Sequence, residues 1–289
     1  METLPDLPPS TRLSPLVIRI LGGNPSKYTL QGTNTYLIGR GAQRILLDTG
    51  EGKAIWSQTL RQTLRDEGAT VGSVLLSHWH GDHVGGVADV KGLEGCEGVK
   101  VYKKVRPDGQ QLEIAHGQVF RTEGATLRAF HSPGHTVDHM AFVLEEEDAM
   151  FTGDNVLGHG TAVFEDLSAY IESLEGMKGQ FAGRAYPGHG EVVEDGRGKI
   201  REYIAHRAER EEQVAAVLRE DAGKQVGGKG NEEGWRSMGI VKVIYKEYPE
   251  HLHAPAEGSV VHVLMKMEAD GRVRKNRDGT WSLTKKAAL

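Results

Sequence analysis

The chain has 289 residues, a formal net charge of −5 and hydrophobic residues at 38% of its positions. This length suits one sizeable domain with a small appendage, and the acidic balance excludes a general electrostatic attraction for nucleic acid. The one cysteine, Cys96, excludes an intrachain disulfide bond, and no His or Asn motif accompanies it as a nucleophile would require.

We expect no targeting signal in the N-terminal segment. Residues 1–9 lack a basic region followed by an apolar one, and Arg12 is the first basic residue, which argues against a secretory or mitochondrial presequence. No apolar run approaches the ~20 residues that cross a bilayer. We therefore expect a soluble, cytoplasmic protein with no membrane partner.

Short apolar runs between Gly-rich turns predict two groups of strands, and apolar residues at helical spacing predict helices outside each group. The predicted strands are 17–21, 34–38, 44–48, 74–77, 99–102, 118–121, 127–131, 140–144 and 149–152. The predicted helices are 54–67, 166–174 and 199–220. This order predicts an α/β protein built as a four-layered αββα sandwich.

A stretch rich in Gly, Lys, Glu and Asn indicates a domain boundary. We predict a catalytic domain at 1–222, a linker at 223–234 and a C-terminal module at 235–289. The module contains two predicted helices, 238–245 and 259–268, and then a hairpin with its turn at Asp278-Gly279.

Two helices followed by a basic hairpin resemble a winged-helix module. The hairpin has four basic residues, Arg272, Arg274, Lys275 and Arg277. These cations either contact nucleic acid or are solvated charges on a lid or docking piece. The acidic charge of the whole chain favours the second interpretation.

The densest chemical feature is the sequence His78-Trp79-His80-Gly81-Asp82-His83, which follows a predicted strand. Neutral imidazole nitrogens and carboxylate oxygens are ordinary zinc ligands, and a solvated His-rich loop explains this density poorly. Alternation at the strand end points the first two histidines to one side. The last two residues of the motif, beyond the turn, then serve a second centre. We expect a helix to begin directly after the ligands, at 84–87.

Three more candidate ligands follow apolar runs that Gly or Pro ends. They are His135, Asp154 and His189, and each comes directly after a glycine. This is the arrangement expected when several strands deliver single ligands to a common sheet edge. Five histidines and two aspartates, with a bridging water, are about the number that two tetrahedral zinc ions need when one carboxylate joins them.

In this order the residues resemble the signature of the metallo-β-lactamase superfamily: His-x-His-x-Asp-His, then a lone His, a lone Asp and a lone His. Four further segments resemble the lactamase-β-like protein 2 group, and the resemblance runs from about Arg12 to the C-terminus. These segments are 32–37, 45–50, 122–127 and 163–167.

The resemblance implies two zinc ions per chain, bridged by Asp154. The ligands would be His78, His80 and His135 for one ion and Asp82, His83 and His189 for the other. It also implies that Asp48 is not a ligand but braces the metal loop through hydrogen bonds.

Such a centre hydrolyses thioesters, lactams or phosphodiesters, with Asp82 placed to accept and return the proton. The motif therefore predicts hydrolysis more firmly than the bond that is cleaved. Similarity to fungal relatives implies a thioesterase that releases a polyketide from the acyl carrier protein of a non-reducing polyketide synthase. Similarity to an animal relative implies a single-strand-specific endoribonuclease, for which nucleic acid would be the partner.

The short N-terminus and the acidic chain favour the thioesterase. The basic hairpin is the one feature that favours the ribonuclease, although it could equally dock an acidic carrier protein. The set of seven ligands argues against a nucleic-acid-binding module without enzymatic activity. The missing signal peptide argues against an exported β-lactamase.

Overall fold

The computed structural model describes residues 4–104, 111–220 and 234–284. The chain divides into two compact units, 1–203 and 204–289. The linker predicted at 223–234 lies outside the described residues, apart from Gly234. Within the described ranges, no helix is long and apolar enough to cross a membrane.

The first unit contains two β-sheets. The larger sheet has seven strands in sequence order: β1 Ser10–Arg12, β2 Val17–Leu21, β3 Asn34–Ile38, β4 Gln43–Leu47, β5 Thr70–Leu75, β6 Lys100–Lys103 and β7 Leu112–Glu113. The smaller sheet, in the order β12-β11-β10-β9-β8, consists of β8 Val119–Thr122, β9 Ala125–His131, β10 Met140–Leu144, β11 Ala149–Gly153 and β12 Ala185–Pro187. Strands β4 to β7 are parallel, as are β11 and β12, and the other pairs are antiparallel.

Five α-helices begin in the described part of the first unit: α1 Ala54–Asp66, α2 Gly81–Val84, α3 Val87–Lys91, α4 Leu167–Lys178 and α5 Gly196–Arg219. The inward faces of the two sheets form one core, in which Leu47 of the larger sheet belongs with Phe142 of the smaller. The other face of the larger sheet packs on α1 through Trp56. On the smaller sheet, Gly176 of α4 lies against Phe130. The predicted αββα sandwich is confirmed.

The structure differs from the predicted elements in several places. The edge strands β1, β7 and β12 were not predicted, because two or three residues are too few for a recognisable alternation. Strand β5 begins four residues earlier than predicted, since Gly72 interrupts its apolar pattern. The helix expected after the metal-binding motif begins at Gly81, inside it, because the N–H groups of His83 and Val84 donate to the carbonyl of His80.

The second unit has α6 Ser237–Ile244, α7 His253–Ala269, β13 Val273–Lys275 and β14 Trp281–Leu283. The two strands form the predicted hairpin, and Gly279 adopts a φ of +83° in its turn. Helix α7 begins six residues before the predicted start. Pro255 lies in its first turn, where a backbone N–H has no partner within the helix in any case.

The four basic residues of the hairpin are not equivalent. Arg272 forms an ion pair with Glu211, which also binds Lys266 at 2.8 Å. The ammonium of Lys275 lies 5.5 Å from the centroid of the Trp281 ring. Arg274 and Arg277 are exposed. In the hairpin β13–β14, the wing of the module, Arg274, Lys275 and Arg277 are therefore exposed, while Arg272 is held within the unit.

Candidate metal centre

Parallel strand pairs bring the candidate ligands to one edge of each sheet. Strands β4 and β5 are parallel neighbours, so Asp48 and His78, which follow them, leave the larger sheet on the same side. Strands β11 and β12 are also parallel, so Asp154 and His189 leave the smaller sheet together. Ligands that are far apart in sequence thus meet at the strand ends.

All seven candidate ligands lie in two adjacent clusters. The first cluster has His78, His80, His135 and Asp154, and the second has Asp82, His83 and His189. In each cluster the possible ligand atoms all lie within 4.8 Å of one another. The two histidines that the alternation places on one side belong to the first cluster, and the last two residues of the motif belong to the second.

Three imidazole nitrogens converge in the first cluster. His78 Nε2 lies 2.9 Å from His80 Nδ1, and His135 Nε2 lies 3.3 and 3.1 Å from these two atoms. Nitrogens bound at ~2.0–2.1 Å to a tetrahedral zinc ion are about 3.3 Å apart. The spacing of the three nitrogens is thus close to that of a metal site.

The carboxylate of Asp154 lies between the two clusters. Its Oδ2 is 3.5 Å from His135 Nε2 in the first cluster and 3.2 Å from His189 Nε2 in the second. Its Oδ1 is 3.4 Å from His83 Nε2. This position suits a carboxylate that bridges two metal ions.

Hydrogen bonds on the far side of each ring show which nitrogens of the first cluster carry lone pairs. Ser77 donates its hydroxyl proton to Asp48 Oδ2, so its oxygen accepts from His78 Nδ1 at 2.9 Å. His135 Nδ1 donates to the carbonyl of Val163 at 2.8 Å. In their neutral forms, the Nε2 atoms of His78 and His135 therefore face each other as acceptors, an arrangement that a cation between them would stabilise.

The second cluster has the same property. His83 Nδ1 donates to Asp48 Oδ2 at 2.8 Å, so its Nε2 faces carboxylate oxygens of Asp82 and Asp154 at 3.3 and 3.4 Å. Among the described residues, His83 Nε2 and Asp154 Oδ1 are buried without a hydrogen-bond partner. Buried acceptors of this kind are costly unless a proton or a metal ion satisfies them. The donor set therefore fits metal binding.

Electrostatics favour a neutral His78 in the first cluster, which is the form that binds a metal ion, and a positive charge on His83 in the second cluster. Burial lowers the pKa of His78 well below its ordinary value, which keeps the imidazole neutral. Burial also acts to lower the pKa of His83, but the carboxylates of Asp154 and Asp48 outweigh it and hold that pKa well above its ordinary value. For Asp82, burial acts to raise the pKa, yet contact with His83 lowers it overall and keeps the carboxylate ionised.

Two residues that support the metal centre, Thr33 and Asn34, were not among the predicted site residues. The hydroxyl of Thr33 donates to Asp82 Oδ2 at 2.8 Å. The amide of Asn34 donates to the carbonyls of Pro187 and Gly190, on either side of His189, at 2.9 and 2.8 Å. Both residues belong to segment 32–37, and the family resemblance of this segment is the one feature of the sequence that could have indicated them.

His139 also supports the centre, and nothing in the sequence indicated it. Its Nε2 accepts a hydrogen bond from the backbone N–H of Asp154 at 3.1 Å, and its Nδ1 is 2.9 Å from the hydroxyl of Ser132. The ring is fully buried, and burial lowers its pKa well below the ordinary value. His139 thus positions the backbone that carries the carboxylate of Asp154.

An open cleft of about 320 Å³ gives access to both clusters. Five of the seven candidate ligands line it: His80, Asp82, His135, Asp154 and His189. Its walls come from two segments, 27–30 and 157–163. A substrate in this cleft would contact ligands from both clusters at once.

Residues 28–189 match the family model described as the metallo-beta-lactamase superfamily. The chain belongs to the metallo-β-lactamase superfamily. A second model, the beta-lactamase associated winged helix domain, matches residues 237–281 of this superfamily member. Both the predicted family and the predicted winged-helix module are confirmed.

Fungal relatives cover most of the chain. The chain is 45% identical over 273 residues to the lactamase-like protein aptB of Emericella nidulans. The aligned region covers 94% of this chain and 87% of the relative. The chain is also 44% identical over 281 residues to an atrochrysone carboxyl ACP thioesterase of Passalora fulva, covering 94% and 81%. The prediction that this superfamily member is a hydrolase is confirmed.

Two solved structures show the same fold. A metallo-beta-lactamase family protein from Thermus thermophilus has a TM-score of 0.70 at 21% identity, covering 94% of this chain and 100% of that one. A beta-lactamase domain protein from Burkholderia ambifaria has a TM-score of 0.74 at 19% identity, covering 95% and 93%. At these identities the likeness extends to the fold alone.

We expect the substitution Asp48→Asn to weaken metal binding at the second cluster. Asp48 has a φ of +59°, a conformation that Asn tolerates, but an amide has one oxygen, so it cannot accept from His83, from the Ser77 hydroxyl and from the Ser77 backbone N–H together as the carboxylate does. Loss of such a supporting carboxylate lowers metal affinity by about 10–100-fold. Zinc titration of metal-stripped protein against a competing chelator measures this. Asp66→Asn, on the exposed side of α1, is the matched control, and equal affinities in two folded variants would contradict the role of Asp48.

Proposed function

We propose that the protein is a di-zinc thioesterase that releases a polyketide acyl group from the acyl carrier protein of a non-reducing polyketide synthase. The observation that carries the proposal is the pair of ligand clusters joined by Asp154 at the base of an open cleft. The relative named as an ACP thioesterase, at 44% identity, supports the choice of substrate and partner. The cytoplasmic location predicted from the sequence is part of this proposal.

Two zinc ions, when bound, would supply an activated water and stabilise the negative charge that develops on the attacked carbonyl oxygen. Asp82 lines the cleft, and the hydrogen bond from Thr33 holds its carboxylate in place. We propose that the carboxylate of Asp82 accepts a proton from the attacking water. It then donates this proton to the sulfur of the leaving thiolate. The products are a carboxylic acid and the free thiol of the carrier.

The charge of the cleft supports a thioester over a nucleic acid. Among the described residues that line it, Lys27 is the single Lys or Arg side chain. A bound RNA strand brings a negative charge with every phosphate and needs several such cations. A thiolate also leaves readily, because thiols have a pKa of about 8.5, so one carboxylate suffices as proton carrier.

A single-strand-specific endoribonuclease is the alternative. The observation that favours it is the wing, where Arg274 and Arg277 are exposed next to Lys275. The ion pair between Arg272 and Glu211 removes one of the four predicted contacts. The same three exposed cations suit an acidic carrier protein equally well.

We expect Asp82→Ala to abolish turnover while the first cluster keeps its metal. Asp82 is a possible ligand of the second cluster alone, so His78, His80 and His135 stay in place. General acid–base catalysis contributes about 10²–10⁴-fold, so the variant should retain less than about one hundredth of wild-type kcat. Metal analysis and steady-state kinetics on one preparation give both values, with the exposed Asp89→Ala as control. Activity above about a tenth of wild type would exclude Asp82 as the proton carrier.

A second experiment compares the two candidate functions directly. One preparation of wild-type protein receives a carrier-bound polyketide and a single-stranded RNA, with His78→Ala as the blank. We expect release of the acyl product with a shallow dependence on salt, because few phosphates are neutralised. Reversing the charges of Arg274, Lys275 and Arg277 should leave the metal content unchanged.

If the protein is the endoribonuclease, the opposite salt dependence and product are expected from the same preparation. Its affinity would fall steeply with salt, in proportion to the phosphate contacts made. Metal-dependent cleavage of the RNA without release of the carrier-bound acyl product would replace the thioesterase with the endoribonuclease.

A further inference from the structure

Some of the large apolar side chains exposed on the first unit lie at the metal centre. In the described part of residues 1–203, these exposed side chains are Tyr28, Ile55, Trp79, Leu112, Val137 and Val163. Tyr28 and Val163 line the cleft, and the ring of Trp79 contacts that of His80, with the centroids 4.5 Å apart. Val137 lies two residues after the ligand His135. Single exposed apolar residues need no explanation, but Tyr28 and Val163 in one cleft, with Trp79 beside His80, indicate a binding surface.

The two cleft residues come from different segments of its lining. Tyr28, which is 74% exposed, belongs to the wall formed by 27–30, and Val163, which is 63% exposed, belongs to the wall formed by 157–163. The backbone of Val163 is fixed to the metal centre, because its carbonyl accepts from His135 Nδ1 at 2.8 Å. An apolar group between these walls would lie directly beside the ligands that face the reacting bond.

We propose that Tyr28, which lines the cleft together with Val163, binds the acyl group of the substrate and selects planar aromatic acyl chains. This inference rests on the proposed thioesterase function. The exposed ring of Tyr28 offers a flat apolar surface on which an aromatic acyl group stacks. The thiol arm of the carrier protein is thin and rich in amides, so contact with such a ring adds little to its binding energy.

Two small thioesters that share the thiol and differ in the acyl group distinguish binding of the acyl group by Tyr28 from binding of the thiol arm. The probes are the 2-naphthoyl and acetyl thioesters of N-acetylcysteamine, each measured with wild type, Tyr28→Ala and Tyr28→Phe. Loss of the ring should raise KM for the naphthoyl thioester by roughly tenfold and change kcat by less than about twofold. The acetyl thioester should change by less than about twofold in both constants, and Tyr28→Phe should behave as wild type on both substrates.

Leu112→Ala is the matched control, because Leu112 is 45% exposed and does not line the cleft. Metal content and thermal melting of each variant show that the site and the fold persist. An equal rise in KM for both thioesters in Tyr28→Ala would assign the ring to the thiol arm and overturn the proposal, as would no change for either. Wild-type protein that hydrolyses neither thioester would instead overturn the thioesterase function on which the inference rests.

Discussion

The structure depends on a group of buried acceptor atoms that face one another around Asp154. The outer nitrogens of His78, His83 and His135 hydrogen-bond to protein oxygens, so their inner nitrogens present lone pairs to each other and to carboxylates. Acceptors without donors at this depth repel one another, and a cation between them turns the repulsion into attraction. The ends of both sheets are arranged around this constraint.

A short network of hydrogen bonds around Asp48 positions the candidate ligands that follow the larger sheet. The two oxygens of Asp48 accept from the backbone and hydroxyl of Ser77 and from His83, so one carboxylate orients ligands of both clusters. On the smaller sheet, His139 holds the backbone of Asp154 in a similar way. Because both supports are buried, the ligand geometry is set by the core and not by the cleft. The cleft walls are thus free to carry the groups that recognise a substrate.

The sandwich and the ligand candidates could be predicted because their signals are local. The metal-binding motif is six consecutive residues, and each later ligand follows an apolar run that ends at Gly or Pro. The contact between Thr33 and Asp82 joins residues 49 apart, and that between His139 and Asp154 joins residues 15 apart. Such pairs arise when the sheets assemble, so no pattern within one segment predicts them. Likewise, the pairing of Arg272 with Glu211 could not be read from the hairpin alone.

The most direct test of the account is the metal content of protein purified without chelator, measured by elemental analysis against protein concentration. The first cluster includes Asp154, whose Oδ2 also lies 3.2 Å from His189 Nε2 in the second cluster, and we propose that each cluster binds one metal ion. The account predicts about two equivalents of zinc. A single equivalent of iron, with nothing bound at the Asp82, His83 and His189 cluster, would contradict it.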